Sequence, residues 1–169
     1  MMTGGPRDTA SIATNGESAT TAWQDAHARL AVVSTYWLST SDPDGRPHVM
    51  PHFAVCEDDV IFTTAGPASR KARNLGHDPR CAISASAEGL DIVVEGSATL
   101  VRDRARLEHV VVLYTAKYGW QIRAVDGAYD AEYGAPSAGP PPYELYEIRP
   151  SVAYGLATDE PYGATRWRW

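Results

Sequence analysis

The sequence predicts a mainly β protein of the α+β class, in which antiparallel strands form a barrel with helices at its periphery. Strand-like runs are joined mostly by turns rather than by helices, and six or seven of them are expected in the barrel. The long run Leu90–Arg102 carries Gly96 near its middle, where a glycine marks the bulge or sharp bend that a barrel requires. No parallel βαβ unit is evident, and neither glycine-rich nucleotide-binding pattern occurs.

Length and charge limit the classes of function. The 169 residues are enough for one domain, which we place at residues 21–169. A formal charge of −6 and a pI near 5.3 argue against non-specific binding to nucleic acid or to an anionic membrane. Residues 1–20 are rich in small polar residues and lack the apolar core of a signal peptide. We expect a disordered tail over 1–20 and a cytoplasmic protein.

Neither the cysteines nor the histidines predict a metal centre. Cys56 and Cys81 each lie in an apolar, strand-like run, which favours reduced core residues over a disulfide or a metal pair. His48 and His52 share one face of a predicted strand but lie about 13 Å apart, too far to bind one metal ion without a third element.

The first half of the domain reads as one helix followed by strands. A helix is predicted from Ala22 to about Val33, with Thr20 or Thr21 as its cap, because apolar residues recur there at helical spacing. Asp42-Pro43-Asp44-Gly45 is a strong turn signal between two strands. The predicted strands are Thr35–Ser41, Pro47–Cys56, Val60–Thr64, Arg80–Ala87 and Leu90–Arg102.

A second helix and a long loop follow. Asp103 suits the cap of a helix that runs to about Tyr118, and Gly119 suits its end. Its predicted buried stripe is Leu107, Val110, Val111 and Tyr114. Beyond it we expect a loop over Gly119–Pro142 and strands at Tyr143–Arg149, Val152–Ala157 and Thr165–Trp169.

The segment between residues 62 and 76 predicts an anion site. It reads as a strand end, a tight turn and a short helix, with Pro67 at the first helical position and Gly76 at its end. Three cations then fall where the helix dipole is positive, which is unfavourable unless an anion such as phosphate binds there. A solvated basic helix face is the equally weighted alternative. The groups expected to converge are the hydroxyls of Thr63, Thr64 and Ser69 and the side chains of Arg70, Lys71 and Arg73.

The order of several motifs resembles one known family. The motifs are Gly45-Arg46-Pro47-His48-Val49-Met50-Pro51, Ile61-Phe62-Thr63-Thr64, Ser69-Arg70-Lys71-Ala72-Arg73-Asn74-Leu75, Asp78-Pro79-Arg80 and Val94-Glu95-Gly96. This ordered set resembles the flavin-binding split-barrel family, which includes pyridoxamine 5′-phosphate oxidase and the actinobacterial flavin and deazaflavin oxidoreductases. The resemblance is good from Ala28 to Arg102 and is carried in the last third only by Tyr143–Pro150 and Thr165-Arg166-Trp167.

The resemblance implies a six-stranded split β-barrel, a homodimer and a flavin-type cofactor at each of two subunit interfaces. It makes Arg70 and Lys71 the phosphate-binding pair, in the motif that begins at Ser69. The remaining implied contacts are Thr63 and Thr64 at the phosphate or ring edge, His48, Val49 and Met50 along the isoalloxazine face, Pro51 at the ring's polar edge, and Trp167 and Arg168 reaching the partner's cofactor.

The choice of cofactor follows from where the chain departs from pyridoxamine 5′-phosphate oxidase. That enzyme's C-terminal substrate-phosphate segment has no equivalent, because Arg166 and Arg168 here alternate with tryptophans. The residues of these motifs resemble the deazaflavin branch of the family more closely. We therefore expect a coenzyme F420-dependent oxidoreductase that passes a hydride to a conjugated small molecule. The alternatives are an FMN-dependent oxidoreductase and a non-catalytic carrier of a flavin, F420 or a pigment.

No catalytic residue is assigned from the sequence. His48 and His52 are candidates for a hydrogen-bond donor or proton source near the ring. The competing interpretation is that they line a partly wet barrel mouth.

Overall fold

A computed structural model describes residues 4–14, 19–132, 134 and 139–169 of the chain. Its helices are α1 (Trp23–Val32), α2 (Arg70–His77) and α3 (Arg104–Tyr118). Its strands are β1 (Asp8–Ser11), β2 (Tyr36–Ser41), β3 (Pro47–His52), β4 (Ala54–Glu57), β5 (Val60–Ala65), β6 (Arg80–Ala87), β7 (Leu90–Val101), β8 (Ile122–Val125), β9 (Ala128–Ala131), β10 (Glu144–Ala157) and β11 (Ala164–Arg168).

Nine strands form one antiparallel sheet with β10 at its centre. The order is β1-β11-β10-β7-β6-β2-β3, and β5 and β4 extend from the other part of β10. Strand β7 follows one edge of β10, whereas the opposite edge is shared by β5 along Glu144–Ile148 and by β11 along Val152–Leu156. The sheet therefore forks at β10. The mainly β, antiparallel prediction is confirmed, with three helices in the described residues.

The strand pairing differs from the predicted barrel in two respects. The main sheet has nine strands instead of six or seven, and β8 and β9 form a separate pair. Within the described ranges, the backbone ladder does not run from β3 back to β4 or β1, so hydrogen bonding does not close a barrel. Short strands such as β1 and β4 account for the extra number, because the sequence gives them little alternating pattern.

Gly96 lies opposite a bulge, as its position predicted, but the extra residue is in the partner strand. The register between β7 and β10 shifts between Pro150 and Val152, facing Gly96. A Cβ atom at Gly96 would lie 2.2 Å from the carbonyl oxygen of Arg149, so only glycine fits this approach. The bulge also joins the two strands predicted over 143–157 into the single strand β10.

Strand β5 separates two hydrophobic cores. Ile61 and Ala65 pack into the larger core with side chains from α1, β2, β6 and β7. Val60 and Phe62 point the other way, into a second core under α3 that contains Tyr129 from β9. Successive side chains of a strand face opposite sides, so one short strand contributes to both cores.

Helix α2 begins and ends later than predicted. The Ser69 hydroxyl oxygen accepts a hydrogen bond from the Ala72 N–H at 3.3 Å, which makes Ser69 the N-cap. Pro67 therefore lies in the preceding turn, and Gly76 lies within the last turn of a helix that ends at His77. The serine decides the start because its side chain satisfies a helix N–H group, which a proline at the first position does not.

Helix α3 matches the prediction closely. The Asp103 carboxylate accepts from the Arg106 N–H at 2.8 Å, and Gly119 adopts a left-handed conformation with φ of 65°. Leu107, Val110 and Tyr114 are buried, whereas Val111 is only partly buried.

Two segments predicted as irregular contain strands. Residues 8–11 pair with β11, so part of the tail predicted as disordered over 1–20 is β1. Within the predicted loop Gly119–Pro142, β8 and β9 form a hairpin around Asp126-Gly127, both with positive φ. Residues 1–3, 15–18, 133 and 135–138 lie outside the described residues. The predicted strand Pro47–Cys56 is divided at Phe53 into β3 and β4.

The remaining chemistry of the fold is simple. Cys56 and Cys81 are free, and burial raises the pKa of their thiols to about 11 and about 12.

No cluster of three or more His, Cys, Asp or Glu side chains that could hold a metal ion occurs in the described residues. Of the helices in the described part of the chain, none has the length and apolar character needed to cross a bilayer.

Candidate functional site

The candidate site lies where β3, β5 and the start of α2 meet. Strand β3 is an edge strand that pairs only with β2. Its register places His48, Met50 and His52 opposite Thr40, Leu38 and Tyr36, which are buried. Because directly paired residues point to the same side of a sheet, these three side chains face inward. Val49 and Pro51 face outward, so the predicted ring-face strand presents two different surfaces.

His52 is a buried, neutral imidazole. The residue is 9% exposed, and its Nδ1 atom lies 3.1 Å from the Thr63 hydroxyl oxygen. Its Nε2 atom is buried and has no hydrogen-bond partner among the residues that the structure describes. Burial, followed by the charge of Lys71 and by His48, lowers the pKa of His52 to about 3. At neutral pH the ring therefore carries no charge and leaves one nitrogen unsatisfied.

Lys71 is the unpaired cation of this site. It is partly buried at the second position of α2, and within the described ranges it makes no hydrogen bond and no ion pair. Burial lowers the pKa of Lys71, while burial, Arg70 and Lys71 together lower the pKa of His48. A positive group without a counter-ion at a helix N-terminus is the arrangement that an anionic ligand stabilises.

Arg70 differs from Lys71 because it already has a carboxylate partner. Its Nη2 atom lies 3.0 Å from Oδ2 of Asp42, in the turn between β2 and β3. The backbone N–H of Arg46, and then Arg70, hold the pKa of Asp42 below its usual value. The two predicted phosphate ligands are thus unequal: one charge is neutralised by the protein and the other is not. No pattern in the sequence indicated this contact with Asp42.

A buried hydrogen bond fixes α2 against the sheet. Asn74 Nδ2 donates to Thr40 Oγ1 at 2.9 Å, and both side chains are buried. This contact sets the height of the helix start relative to β2 and β3, and so positions Lys71. Asn74 belongs to the motif that suggested the family, but its spacing to Thr40 carries no pattern that a sequence reading would detect.

The three hydroxyls predicted to converge on an anion do not all do so. Thr63 faces the larger core and His52, whereas Thr64 lies on the opposite face of β5, the side of Phe62 and the second core. The prediction overlooked that adjacent strand residues alternate. The oxygen of Ser69 is engaged in the helix cap. Of the three, the structure brings only Thr63 together with the two histidines and Lys71.

Trp167 and Arg168 occupy different environments. Trp167 is fully buried, its ring centroid lies 5.4 Å from that of Trp23, and its Nε1 atom donates to the Thr21 carbonyl. The side chain of Trp167 therefore lies on the inward side of β11, within the core, and its expected contact with a cofactor stays a prediction. Arg168 is exposed on the outer face of the sheet and pairs in register with Val152.

The outer face of the sheet exposes large apolar side chains. Trp37, Val49 and Leu156 are 48%, 49% and 48% exposed. Trp37 lies directly opposite Pro51 across the β2–β3 pair, so the apolar surface is continuous from one strand to the next. Such a surface beside a candidate ligand site is typical of a protein–protein contact.

Several solved structures have folds similar to this one. An F420 reductase has 19% identity and a TM-score of 0.55, over 75% of this chain and 94% of that one. A pyridoxamine 5′-phosphate oxidase-related, FMN-binding protein from Nostoc punctiforme has 19% identity and a TM-score of 0.57, over 86% and 90%. General stress protein 26 from Bacillus anthracis has 18% identity and a TM-score of 0.56, over 79% and 92%. At these identities the similarity establishes the fold alone.

Sequence comparison gives the family. No curated protein sequence matches the chain. The family model described as pyridoxamine 5′-phosphate oxidase matches residues 22–157, which include β3, β5, α2 and every residue of the candidate site except those of β11. Because the match spans most of the chain and the fold agrees with it, the protein belongs to the pyridoxamine 5′-phosphate oxidase-like family of flavin-type oxidoreductases.

Proposed function

We propose that the protein is an F420-dependent oxidoreductase that transfers a hydride between the deazaflavin and a conjugated small molecule, such as a quinone or an enone. The observation that carries the proposal is Lys71, a partly buried ammonium group with no counter-ion in the described residues. The phosphate group of the cofactor supplies the missing negative charge. A charge-assisted hydrogen bond of this kind contributes about 1.5–3 kcal/mol.

The residues present fit a ligand with a phosphate and a flat polar ring. Lys71 would hold the phosphate, together with the guanidinium N–H groups of Arg70 that do not contact Asp42. His48 and Met50 would lie along the ring, and the unsatisfied Nε2 atom of His52 offers a polar contact at the floor of the cleft. When bound, the deazaflavin supplies the hydride.

The protein's own contribution is to hold, orient and shield the reacting groups. The paired strands β2 and β3 give a rigid wall, and the hydrogen bond from Asn74 to Thr40 fixes the helix that carries Lys71. His48 is more exposed than His52 and can exchange protons with water, so it is the better candidate for handling a proton of the substrate.

A homodimer would complete this site. The cleft adjoins the outer sheet face that exposes Trp37, Val49 and Leu156. A second copy of the chain placed on this face would cover the apolar surface and shield a bound cofactor from water. Arg168 lies on the same face, so it remains a candidate contact to the partner's cofactor. Val49, expected along the ring face, and Pro51, expected at the polar edge of the ring, also lie on this face. We propose the split-barrel arrangement of two such subunits.

Two other functions each have one supporting observation. FMN also carries a phosphate group on its side chain, and an FMN-binding neighbour is as similar to this chain as the F420 reductase is. A carrier that binds without turnover is favoured by the lowered pKa values of His48 and His52, which leave both rings neutral at pH 7.

The test is a fluorescence titration of the purified protein with F420 and with FMN. Lys71→Met should weaken binding of the true cofactor about ten- to a hundredfold, because the phosphate loses its unpaired cation. Arg73→Met is the matched control. The sequence placed Arg73 at the anion too, but in the structure it is exposed and donates to the Ala68 carbonyl, so this variant should bind the cofactor as the wild type does. Binding of neither cofactor at micromolar concentration would overturn the proposal, and binding of FMN alone would select the second function.

A second measurement separates an enzyme from a carrier. The protein is mixed with reduced F420 and a panel of quinones and enones, and the return of the oxidised absorbance is followed. Acceptor-dependent oxidation supports the oxidoreductase. Tight binding without oxidation by any acceptor supports the carrier.

A further inference from the structure

The hydroxyl group of Thr63 determines which nitrogen of His52 carries the proton. Thr63 Oγ1 lies 3.1 Å from the carbonyl oxygen of Phe53, which can only accept a hydrogen bond. The single hydroxyl proton of Thr63 is therefore directed to that carbonyl. Thr63 Oγ1 must then accept its second hydrogen bond, at 3.1 Å, from His52 Nδ1–H. A neutral imidazole has one N–H, so His52 Nε2 is an unprotonated acceptor.

The surrounding hydroxyls support this direction. Tyr114 also approaches the Phe53 carbonyl, at 3.3 Å, but its hydroxyl lies closer to the Phe62 carbonyl, at 3.1 Å. Tyr114 has one proton for both carbonyls, and its hydroxyl also hydrogen-bonds with Thr64. Thr63 is the nearer donor to the Phe53 carbonyl, at 3.1 Å against 3.3 Å for Tyr114, and this favours the direction from His52 to Phe53.

The resulting lone pair has no donor. His52 Nε2 is buried and unpartnered, and burial together with Lys71 keeps the pKa of this histidine near 3, so the nitrogen does not gain a proton at neutral pH. Lys71 also has no acceptor in the described part of the chain. The unsatisfied acceptor and the unsatisfied cation are close enough for Lys71 to lower the pKa of His52, and together they are complementary to a ligand that carries both a hydrogen-bond donor and an anion.

We propose that His52 is a fixed hydrogen-bond acceptor in the cofactor cleft, and that it selects ligands presenting an N–H or O–H group to its Nε2 atom. The inference rests on the proposed function for the identity of the ligand. In a flavin or a deazaflavin the donor is either the imide N–H of the ring or a hydroxyl of the side chain, and both have the same chemistry at Nε2.

The first experiment examines the ligand-free protein. Nitrogen NMR of histidine-labelled protein at pH 7 should show His52 with a protonated Nδ1 and an unprotonated Nε2, the signals being assigned by their loss in His52→Gln. Thr63→Val should disturb this tautomer, and Thr63→Ser should restore it, because serine keeps the hydroxyl. A proton on Nε2 in the wild type overturns the inference.

The second experiment adds F420 or FMN to the same sample. The Nε2 signal of His52 should move as the atom accepts a hydrogen bond. His27 provides the internal control, because its Nε2 atom is also buried without a partner but lies on α1 and should not move. If a cofactor binds and the His52 signal stays unchanged, the acceptor role is wrong while the proposed function survives. If neither cofactor binds, both fall.

Binding measurements then identify the donor. His52→Phe should weaken cofactor binding about tenfold, and His52→Gln should recover part of this loss through its amide oxygen. FMN methylated on the imide nitrogen distinguishes the two sources. If the imide is the donor, wild type and His52→Phe bind the methylated ligand equally; if a hydroxyl is the donor, the tenfold difference remains. Equal binding of unmodified cofactor by wild type and His52→Phe would overturn the inference.

Discussion

Lys71 and Lys117 are the two lysines of the chain, and they differ in whether the protein supplies hydrogen-bond partners for their ammonium groups. Lys71 has no partner in the described residues, whereas Lys117 Nζ donates to the Tyr36 hydroxyl at 2.7 Å and to the Ala54 carbonyl at 3.0 Å. Lys117 also lies over the rings of Tyr36 and Tyr118, at 4.5 and 5.2 Å from their centroids. The ammonium group of Lys71 is available to an anionic ligand, whereas the hydrogen bonds of Lys117 connect α3 with β2 and β4.

The stability of the protein should depend on the charge of Lys117. Burial lowers the pKa of Lys117 to about 8, below the value of 10.5 for an ordinary lysine. The unfolded chain therefore binds more protons above pH 8, so this residue makes the folded state more stable as pH rises from 8. Urea unfolding of wild type and Lys117→Met at pH 7.5 and 9 measures the effect.

The comparison with the variant removes titrations that do not depend on Lys117. Tyr118 has a raised pKa and acts in the opposite direction at higher pH, but it is present in both proteins. Cys56 is different, because Lys117 lowers the pKa of this thiol; without Lys117 that pKa rises further, which destabilises the variant at higher pH and adds to the expected difference. The stability of the wild type relative to Lys117→Met should increase between the two pH values. An equal difference at both would show that the lysine does not titrate in this window.

At the scale of elements, the bounds of helices and strands were predicted correctly where residues within the element itself determine them. The cap Asp103 and the left-handed Gly119 bounded α3 correctly, because each satisfies backbone groups of the helix itself. The strand β6 was predicted with its observed bounds, Arg80–Ala87. In contrast, β1 has no alternating pattern and forms only because β11 offers a free edge. The anion site was predicted from the charge of its residues, whereas the pairing of Arg70 with Asp42 depends on a tertiary contact.

The placement of α2 should depend on Asn74. Asn74→Ala leaves the buried Thr40 hydroxyl without its partner, which should lower the free energy of unfolding by about 1–3 kcal/mol. The helix start should also shift, so the variant should bind cofactor more weakly. Arg73→Ala, an exposed change on the same helix, should stay within about 0.5 kcal/mol of the wild type. Chemical denaturation and cofactor titration measure both effects, and similar losses in the two variants would contradict this account.

The same substitution at two glycines should have opposite effects. Gly96→Ala places a methyl group 2.2 Å from the Arg149 carbonyl oxygen at the β10 bulge, and should destabilise the protein by more than about 2 kcal/mol. Gly76→Ala lies in the last turn of α2 with no atom within 4 Å of the new methyl group. It should stabilise by up to about 1 kcal/mol. Thermal or urea unfolding of both variants measures these changes in stability. If Gly96→Ala left the stability unchanged, the strands β7 and β10 would be able to move apart at the bulge.

At the scale of the whole molecule, the sequence predicted the class of fold but not its connectivity. The alternation of strands indicated an antiparallel, mainly β protein with a bend at Gly96. The fork of the sheet at β10 could not be predicted, because it depends on β5 and β11 lying end to end along one edge. The outer face with Trp37 and Val49 is likewise visible only once the strands are aligned.

The proposed homodimer gives a test at this scale. Trp37→Glu places a charge in the centre of the exposed apolar face, so it should shift the protein to a monomer and weaken cofactor binding. Val112→Glu is the control, because Val112 is 63% exposed on α3, away from this face, and should leave the assembly unchanged. Light scattering coupled to size-exclusion chromatography measures the mass. A wild-type monomer at working concentration would refute the dimer.

The short strand β5 has a consequence for how the molecule tolerates change. Insertion or deletion of one residue before Ile61 would exchange Ile61 with Phe62 and turn Thr63 away from His52. An insertion or deletion in β5 would therefore disrupt both hydrophobic cores and the contact between Thr63 and His52 at once. Related sequences should accordingly differ in β5 by substitution and keep its length.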